Sequence, residues 1–233
     1  MPNKVCAVLG AGPGNGAAIA GKFANEGYKV AICARDEDRL KNIANEISDT
    51  VPYRYDVQDL PSADAVFAQI QKDLGPVDTM IYNAGAGQFA NIDDATVEGF
   101  QSAWEVNARG LFAASKSVLP QMRSQGGGSI IVIGATASVK AGANFAPFAS
   151  AKFAQRALAQ SMAKHLGPEK IHVAYVVIDG VIDLERTREF LPDKPDEFFL
   201  DPSQIADSVY FLSQQQSQAW TFELDLRPFG EKW

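Results

Sequence analysis

The chain has 233 residues, 46% of them hydrophobic and 21% charged, which is enough for one large core. It is too polar throughout for a membrane span, since no run approaches the about 18 apolar residues that a spanning helix needs. The formal net charge of -7 argues against a grip on phosphate backbones by clustered Lys and Arg, so a nucleic-acid partner is not expected.

The amino-terminal segment, Met1 to Cys6, lacks a basic region followed by an apolar signal core, and the expected compartment is the cytoplasm. Val- and Ile-rich runs then recur at 4–9, 28–33, 51–55, 77–82, 129–133, 171–178 and 220–226, and read as strands. Segments of helical periodicity lie at 16–26, 37–47, 62–74, 100–124, 149–166 and 203–213. Strand alternating with helix implies right-handed crossovers and a parallel sheet covered on both faces, with residues 1–233 forming a single domain. Cys6 and Cys33 fall inside the first two strands and are expected to be inert, reduced thiols, with no metal site implied. The longest irregular stretch is 179–202, with Pro192, Pro195 and Pro202 among acidic and aromatic residues. Its length suggests a substrate lid; the other reading is a decorative insertion.

The first strand runs into Gly10, Gly12, Gly14 and Gly16, with Asn15 between the last two, before a helix begins. Glycine permits positive φ and lets a pyrophosphate approach the backbone, while the helix amides behind supply donors and a positive dipole end. This points to a dinucleotide site. Where an NAD-preferring site usually carries a carboxylate after the second strand, this chain has Ala34 and Arg35. Arg35 suits a ribose 2′-phosphate, which favours NADP(H) over NAD(H). Alternatively, Arg35 pairs with Asp36 or Asp38. Asp56 after the third strand has two readings as well, an adenine-side residue or a turn cap.

These residues resemble the short-chain dehydrogenase/reductase family over nearly the whole chain. Gly10, Gly14 and Gly16 match its G-x-x-x-G-x-G turn, Asp56 and Val57 its adenine-side pair, and Asn83, Ala84 and Gly85 its N-A-G segment. Asn107 matches the asparagine that orders a water and the catalytic lysine, and Lys152 matches the lysine of Y-x-x-x-K. The resemblance implies a Rossmann-type, doubly wound, seven-stranded parallel sheet. It also implies catalytic roles for Lys152 and Asn107, cofactor contacts from the matched residues, and a homodimer or homotetramer.

Three departures stand beside it. Phe148 occupies the place of the proton-donating tyrosine and Ala135 that of the serine, and none of the six tyrosines is followed four residues later by a lysine. The family's Pro-Gly after the sixth strand is Asp179-Gly180, either an acid in the nicotinamide pocket or an ordinary turn. Thr136, Ser138 and Asn144 are nearby hydrogen-bonding groups or plain loop residues. The expected function is an NADP(H)-dependent oxidoreductase with an atypical site, acting on a small apolar carbonyl or activated alkene. The alternative is a catalytically inactive NADP(H)-binding sensor or partner subunit. Phe145, Phe148, Phe190, Phe198 and Phe199 suggest an apolar pocket, and apolar residues on more than one face of helices 100–124 and 149–166, Phe112 and Phe153 among them, suggest a two-fold interface.

Overall fold

Val5, Ala7 and Leu9 of strand β1 (Val5–Leu9) enter one core and Cys6 and Val8 the opposite one, and all five are inaccessible. A central strand sandwiched between two helical layers requires this, because successive side chains point to opposite faces. A computed structural model describes residues 4–231. In it seven parallel strands lie in the order β3-β2-β1-β4-β5-β6-β9. The further strands are β2 (Lys29–Ala34), β3 (Thr50–Arg54), β4 (Thr79–Tyr82), β5 (Gly128–Ile133), β6 (Ile171–Ile178) and β9 (Glu223–Leu226). The order reverses between β1 and β4, and in such sheets the crevice beyond the strand ends at that point is the usual ligand site.

Helices α1 (Asn15–Asn25), α2 (Glu37–Glu46) and α8 (Pro202–Ser213) cover one face through Ile19, Phe23, Leu40, Ile43, Ile205, Val209 and Leu212. On the other face lie α3 (Ser62–Asp73), α5 (Gly110–Ser124) and α6 (Ala146–Leu166), contributing Phe67, Ile70, Leu111, Val118, Met122, Ala159 and Leu166. The fold is thus the doubly wound Rossmann type read from the strand and helix alternation, in a single domain. Cys6 and Cys33 are free and buried on opposite faces, and burial pushes both thiols up, Cys33 to about 12. Among the described residues no helix is long and apolar enough to cross a membrane.

Two segments differ from their sequence reading. The stretch 100–124 is not one regular helix: α4 (Val97–Trp104) passes through a π-helical turn, Glu105–Arg109, into α5. Single π turns inside helices widen the ladder by one residue and often mark functional positions; Asn107 sits in the middle of this one. Residues 179–202 are not irregular. Strands β7 (Val181–Ile182) and β8 (Phe199–Leu200) pair in parallel, with helix α7 (Glu185–Phe190) between them. Leu200 and Ile182 pack against the α1/α8 core. Arg188 fastens the segment internally, donating to both Asp183 oxygens at 2.7 and 2.8 Å and to Asp196 at 2.6 Å. The sequence reading weighed the prolines among acidic and aromatic residues, and such short strands leave little periodicity to detect.

Candidate active site

The glycine turn is shaped by close approach. Gly10 has φ +89°, and a β-carbon there would stand 2.5 Å from the amide nitrogen of Ala84. The ends of β1 and β4 therefore meet backbone to backbone, and Asn83 locks them by donating from Nδ2 to the Gly10 carbonyl at 2.8 Å. Gly14 has φ +92°, and its missing β-carbon is replaced by the Leu184 side chain, whose Cδ2 lies 2.2 Å from that point. The segment after β7 thus rests directly on the glycine turn.

From this turn a cleft of about 570 Å³ runs across the switch point. Gly10 to Pro13 line it at the centre, Ala34, Arg35, Asp36 and Arg39 at one end, Asp56 and Val57 beside them, and Asn83 to Ala86 at the other; Leu184, Glu185 and Arg186 form the roof. The space is within the range of small-molecule sites, about 300–1,000 Å³. Gly12 opens onto it, since a β-carbon there would meet nothing within 4 Å. Asn15, at the start of α1, is buried with Oδ1 lacking a partner.

The geometry narrows the two readings of Arg35. Asp36 caps α2 by accepting from the Arg39 amide at 3.0 Å, with the Arg39 guanidinium 3.8 Å away, and Asp38 is bonded to Lys41. Among the described residues no carboxylate is paired with Arg35. Asp56 does cap its turn, accepting from the Gln58 amide at 3.0 Å, while also lining the cleft.

At the far end the chemistry changes. Lys152 is buried on α6, one turn beyond Phe148, so the two side chains share a helix face. Its Nζ donates to the Ile133 carbonyl at 3.1 Å and to Gln155 Oε1 at 3.0 Å. A β-carbon on Gly85 would lie 3.6 Å from Lys152 Nζ and 3.5 Å from Asn107 Oδ1, so both groups underlie the cleft floor. Burial without a carboxylate partner lowers the Lys152 amine to about 7. Asn107 donates from Nδ2 to the carbonyls of Ala86 (2.6 Å) and Ala103 (2.8 Å), and its buried Oδ1 has no partner.

The Phe148 ring lies against Gly87, whose β-carbon would clash with it at 2.4 Å, and its centroid is 5.9 Å from Lys152 Nζ. Phe89 packs edge-on against both Phe145 and Phe148, at 5.3 and 5.2 Å. The aromatic wall therefore consists of Phe89, Phe145 and Phe148. Phe198 and Phe199 do not contribute to it: they pack on each other, with Lys194 and Arg188 over their rings, and Phe190 is exposed.

The nearby polar groups are engaged elsewhere. Thr136 donates to Asp179 Oδ1 at 2.6 Å, and Arg227 Nη1 stands 3.2 Å from Asp179 Oδ2. Asp179 therefore ties the end of β6 to the segment after β9, and both of its oxygens act as acceptors. Ser138 is fully buried and turns back to the Ala135 carbonyl, and Asn144 is exposed. Ala135 offers only a methyl group. His172 is buried, stacked on Trp220 and bonded to the Thr221 carbonyl at 2.8 Å; burial lowers its pKa. Gln155, Tyr175 and Leu184 went unread in the sequence. Gln155 had a detectable signal, being a polar residue three positions after Lys152 on a helix face otherwise rich in alanine.

A family model described as short chain dehydrogenase matches residues 4–194. An uncharacterized oxidoreductase of Staphylococcus aureus is 28% identical over 232 residues, 98% of each chain. Among solved structures, a short-chain dehydrogenase from Rhodopseudomonas palustris matches with a TM-score of 0.85 at 34% identity, over 98% of this chain and 100% of that one. An alcohol dehydrogenase from the archaeon Thermococcus sibiricus, complexed with 5-hydroxy-NADP, matches with a TM-score of 0.88 at 28% identity, over 98% of both chains.

Proposed function

Because the chain belongs to the short-chain dehydrogenase family, we propose that it is an NADP(H)-dependent oxidoreductase whose proton chemistry rests on Lys152 in place of a tyrosine. The observation that carries this reading is the cleft joining Arg35, which pairs with no carboxylate among the described residues, to the floor above the Lys152 amine.

The residues present suit a dinucleotide. Gly12 leaves space at the turn, the Asn15 Oδ1 lacks a partner, and the α1 amides face an anion with the positive end of the helix. Arg35 would hold the 2′-phosphate with charge-assisted bonds, Asp56 and Val57 would flank the adenine, and Asn83, Ala84 and Gly85 would line the nicotinamide half. A protonated Lys152 has three donors, of which Ile133 and Gln155 engage two, so one remains to hold the nicotinamide ribose. Asn107 would brace that floor through Ala86.

Bound nicotinamide supplies a hydride at its ring carbon. Lys152, lowered to about 7, would give up this third proton, by way of the ribose hydroxyl it holds, to the oxygen left negative on the acceptor and would regain one from solvent. With Phe148 and Ala135 unable to donate, the acceptor must form a weakly basic anion, as an activated alkene does on becoming an enolate, or be a small carbonyl that fits against Phe89, Phe145 and Phe148. Residues 179–202 would act as the substrate lid, supported by the contact of Leu184 with Gly14.

A second reading, an inactive NADP(H)-binding sensor or partner subunit, is favoured by one specific observation: Asp179, the carboxylate weighed as a substitute acid, is bound to Arg227 and Thr136. A homodimer or homotetramer is supported by the exposed rings of Phe100 and Trp104 on α4, Phe112 on α5 and Phe153 on α6.

Fluorescence titration with NADPH and NADH, followed by aldehydes, ketones, quinones and enones in the same cuvette, tests these readings. NADPH binding with oxidation on one acceptor is the expected result. Binding without turnover on any acceptor selects the second reading, and absence of binding sinks both.

A further inference from the structure

Gln155 is wholly inaccessible, three residues beyond Lys152 on the inner face of α6. The two ends of its amide have opposite chemistry, and the site uses both. Nε2 donates to the backbone carbonyl of Asn107 at 3.0 Å. Oε1 accepts from Lys152 Nζ at 3.0 Å and from the Tyr175 hydroxyl at 3.1 Å. A flipped amide would oppose donors at Lys152 and acceptors at Asn107, so the neighbours dictate one orientation.

We propose that Gln155 is a positioning residue for Lys152, fixing its amine beneath Gly85 by tying it to the π-helical turn at Asn107 and, through Tyr175, to β6. The functional weight of this tie rests on the reading of Lys152 given above. Four otherwise separate elements converge on one carboxamide: α6, the π turn, β6 and, through the Ile133 carbonyl that shares the Lys152 amine, the end of β5. A buried amide left half-bonded would bear the desolvation cost of each orphaned group, and here both ends of the amide are bonded.

The surroundings isolate the tie electrostatically. Tyr175 of β6 is the titratable side chain in contact with it, and burial raises that phenol, keeping it neutral. Glu105 and Arg109 of the π turn pair with each other, Arg156 of α6 pairs with Glu223 of β9, and Asp179 at the end of β6 pairs with Arg227. Ile133, Ser138 and Asn107 present uncharged groups. Gln155 is therefore a neutral acceptor for the Lys152 amine, and its replacement changes that amine's environment directly.

The test is a carbon-detected NMR titration of lysine side chains in cofactor-free protein, with the Lys152 signal identified by its absence in Lys152→Met. It is run on the parent, Gln155→Glu and Gln155→Leu, with NADPH dissociation constants measured in parallel across the same pH range. An adjacent opposite charge moves a titration by about 1–3 units, so Gln155→Glu is expected to raise the Lys152 midpoint by about one unit or more. Gln155→Leu is expected to lower it. The pH at which NADPH affinity begins to fall should follow both shifts.

A Gln155 that packs without holding the amine would lower the melting temperature in Gln155→Leu and leave the Lys152 midpoint of that variant in place. Midpoints equal to the parent's in the variants that fold would overturn the proposal, and the near-isosteric Gln155→Glu decides it if Gln155→Leu does not fold. If the midpoints move while NADPH affinity stays flat with pH, the tie stands and the ribose role of Lys152 fails.

Discussion

The two ends of the cleft are built on different principles. At the nucleotide end the shape of the backbone does most of the work: Gly10 lets two strand ends touch, Asn83 locks them, and Arg35 lines the cleft with no carboxylate partner among the described residues. At the far end side-chain identity decides the chemistry, and there the chain keeps a buried lysine while replacing hydroxyl groups with Phe148 and Ala135. The backbone geometry of one end can therefore be kept while the side chains of the other differ.

The sharpest way to break this contrast is to restore the missing groups. Phe148→Tyr combined with Ala135→Ser should raise turnover on a generic carbonyl panel by about 10² or more, since a positioned acid contributes about 10² to 10⁴ and an oxyanion donor about 10² to 10³. Steady-state kinetics on purified protein would show it. Unchanged turnover would mean that the aromatic wall against Gly87, and not the lack of a proton donor, limits the reaction.

The opposite end is tested by Arg35→Ala. Loss of a charge-assisted contact to a 2′-phosphate corresponds to about 1.5–3 kcal/mol, or roughly 10- to 100-fold weaker NADPH binding, with little change for NADH. Equal weakening of both cofactors would remove Arg35 from the phosphate site.

Lys152 connects the two ends, and its burial carries a stability signature. Its folded-state value of about 7 lies below that of an unfolded lysine, so the unfolded chain binds the extra proton between the two values. Stability therefore rises with pH through that window, and the burial penalty is fully present below about pH 7. Lys152→Met should be more stable than the parent in mild acid by an order of a few kcal/mol, at about 1.4 kcal/mol per pKa unit. The advantage should shrink steadily toward the ordinary lysine value. Thermal melts at several pH values measure this, and a gap that does not vary with pH would contradict the buried, unpaired amine.

The smallest expected effect concerns the roof. Leu184→Ala uncovers Gly14 and should tighten NADPH binding about two- to fivefold, measured by fluorescence titration; weaker binding would make Leu184 a cofactor contact instead of an obstruction.

Much of this architecture was legible in the sequence because it follows from periodicity. Apolar runs such as IleHisValAlaTyrValValIle give the strands, and glycines crowded between a strand and a helix give the turn. What escaped depended on contacts between distant residues. Gln155 stands out in sequence as a polar residue on an alanine-rich face, but its role shows only when Asn107, 48 positions away, is brought to its amide. The π turn shifts the helical pattern by a single residue, a slip too small to separate from ordinary irregularity in one sequence. Asp179 could be read as an acid or a turn until Arg227, from beyond the last strand, reached its carboxylate. The 179–202 segment hid two strands too short to show alternation.

The contact between Leu184 and Gly14 also has a kinetic meaning. A turn suited to presenting amides to a phosphate is capped by a hydrocarbon side chain, on a segment that Arg188 clamps to Asp183 and Asp196. If the lid proposed above lifts as one piece, a nucleotide arriving at the closed form waits for it. In rapid mixing, the observed association rate should then level off with rising NADPH at the frequency of opening, making the roof a clock for entry.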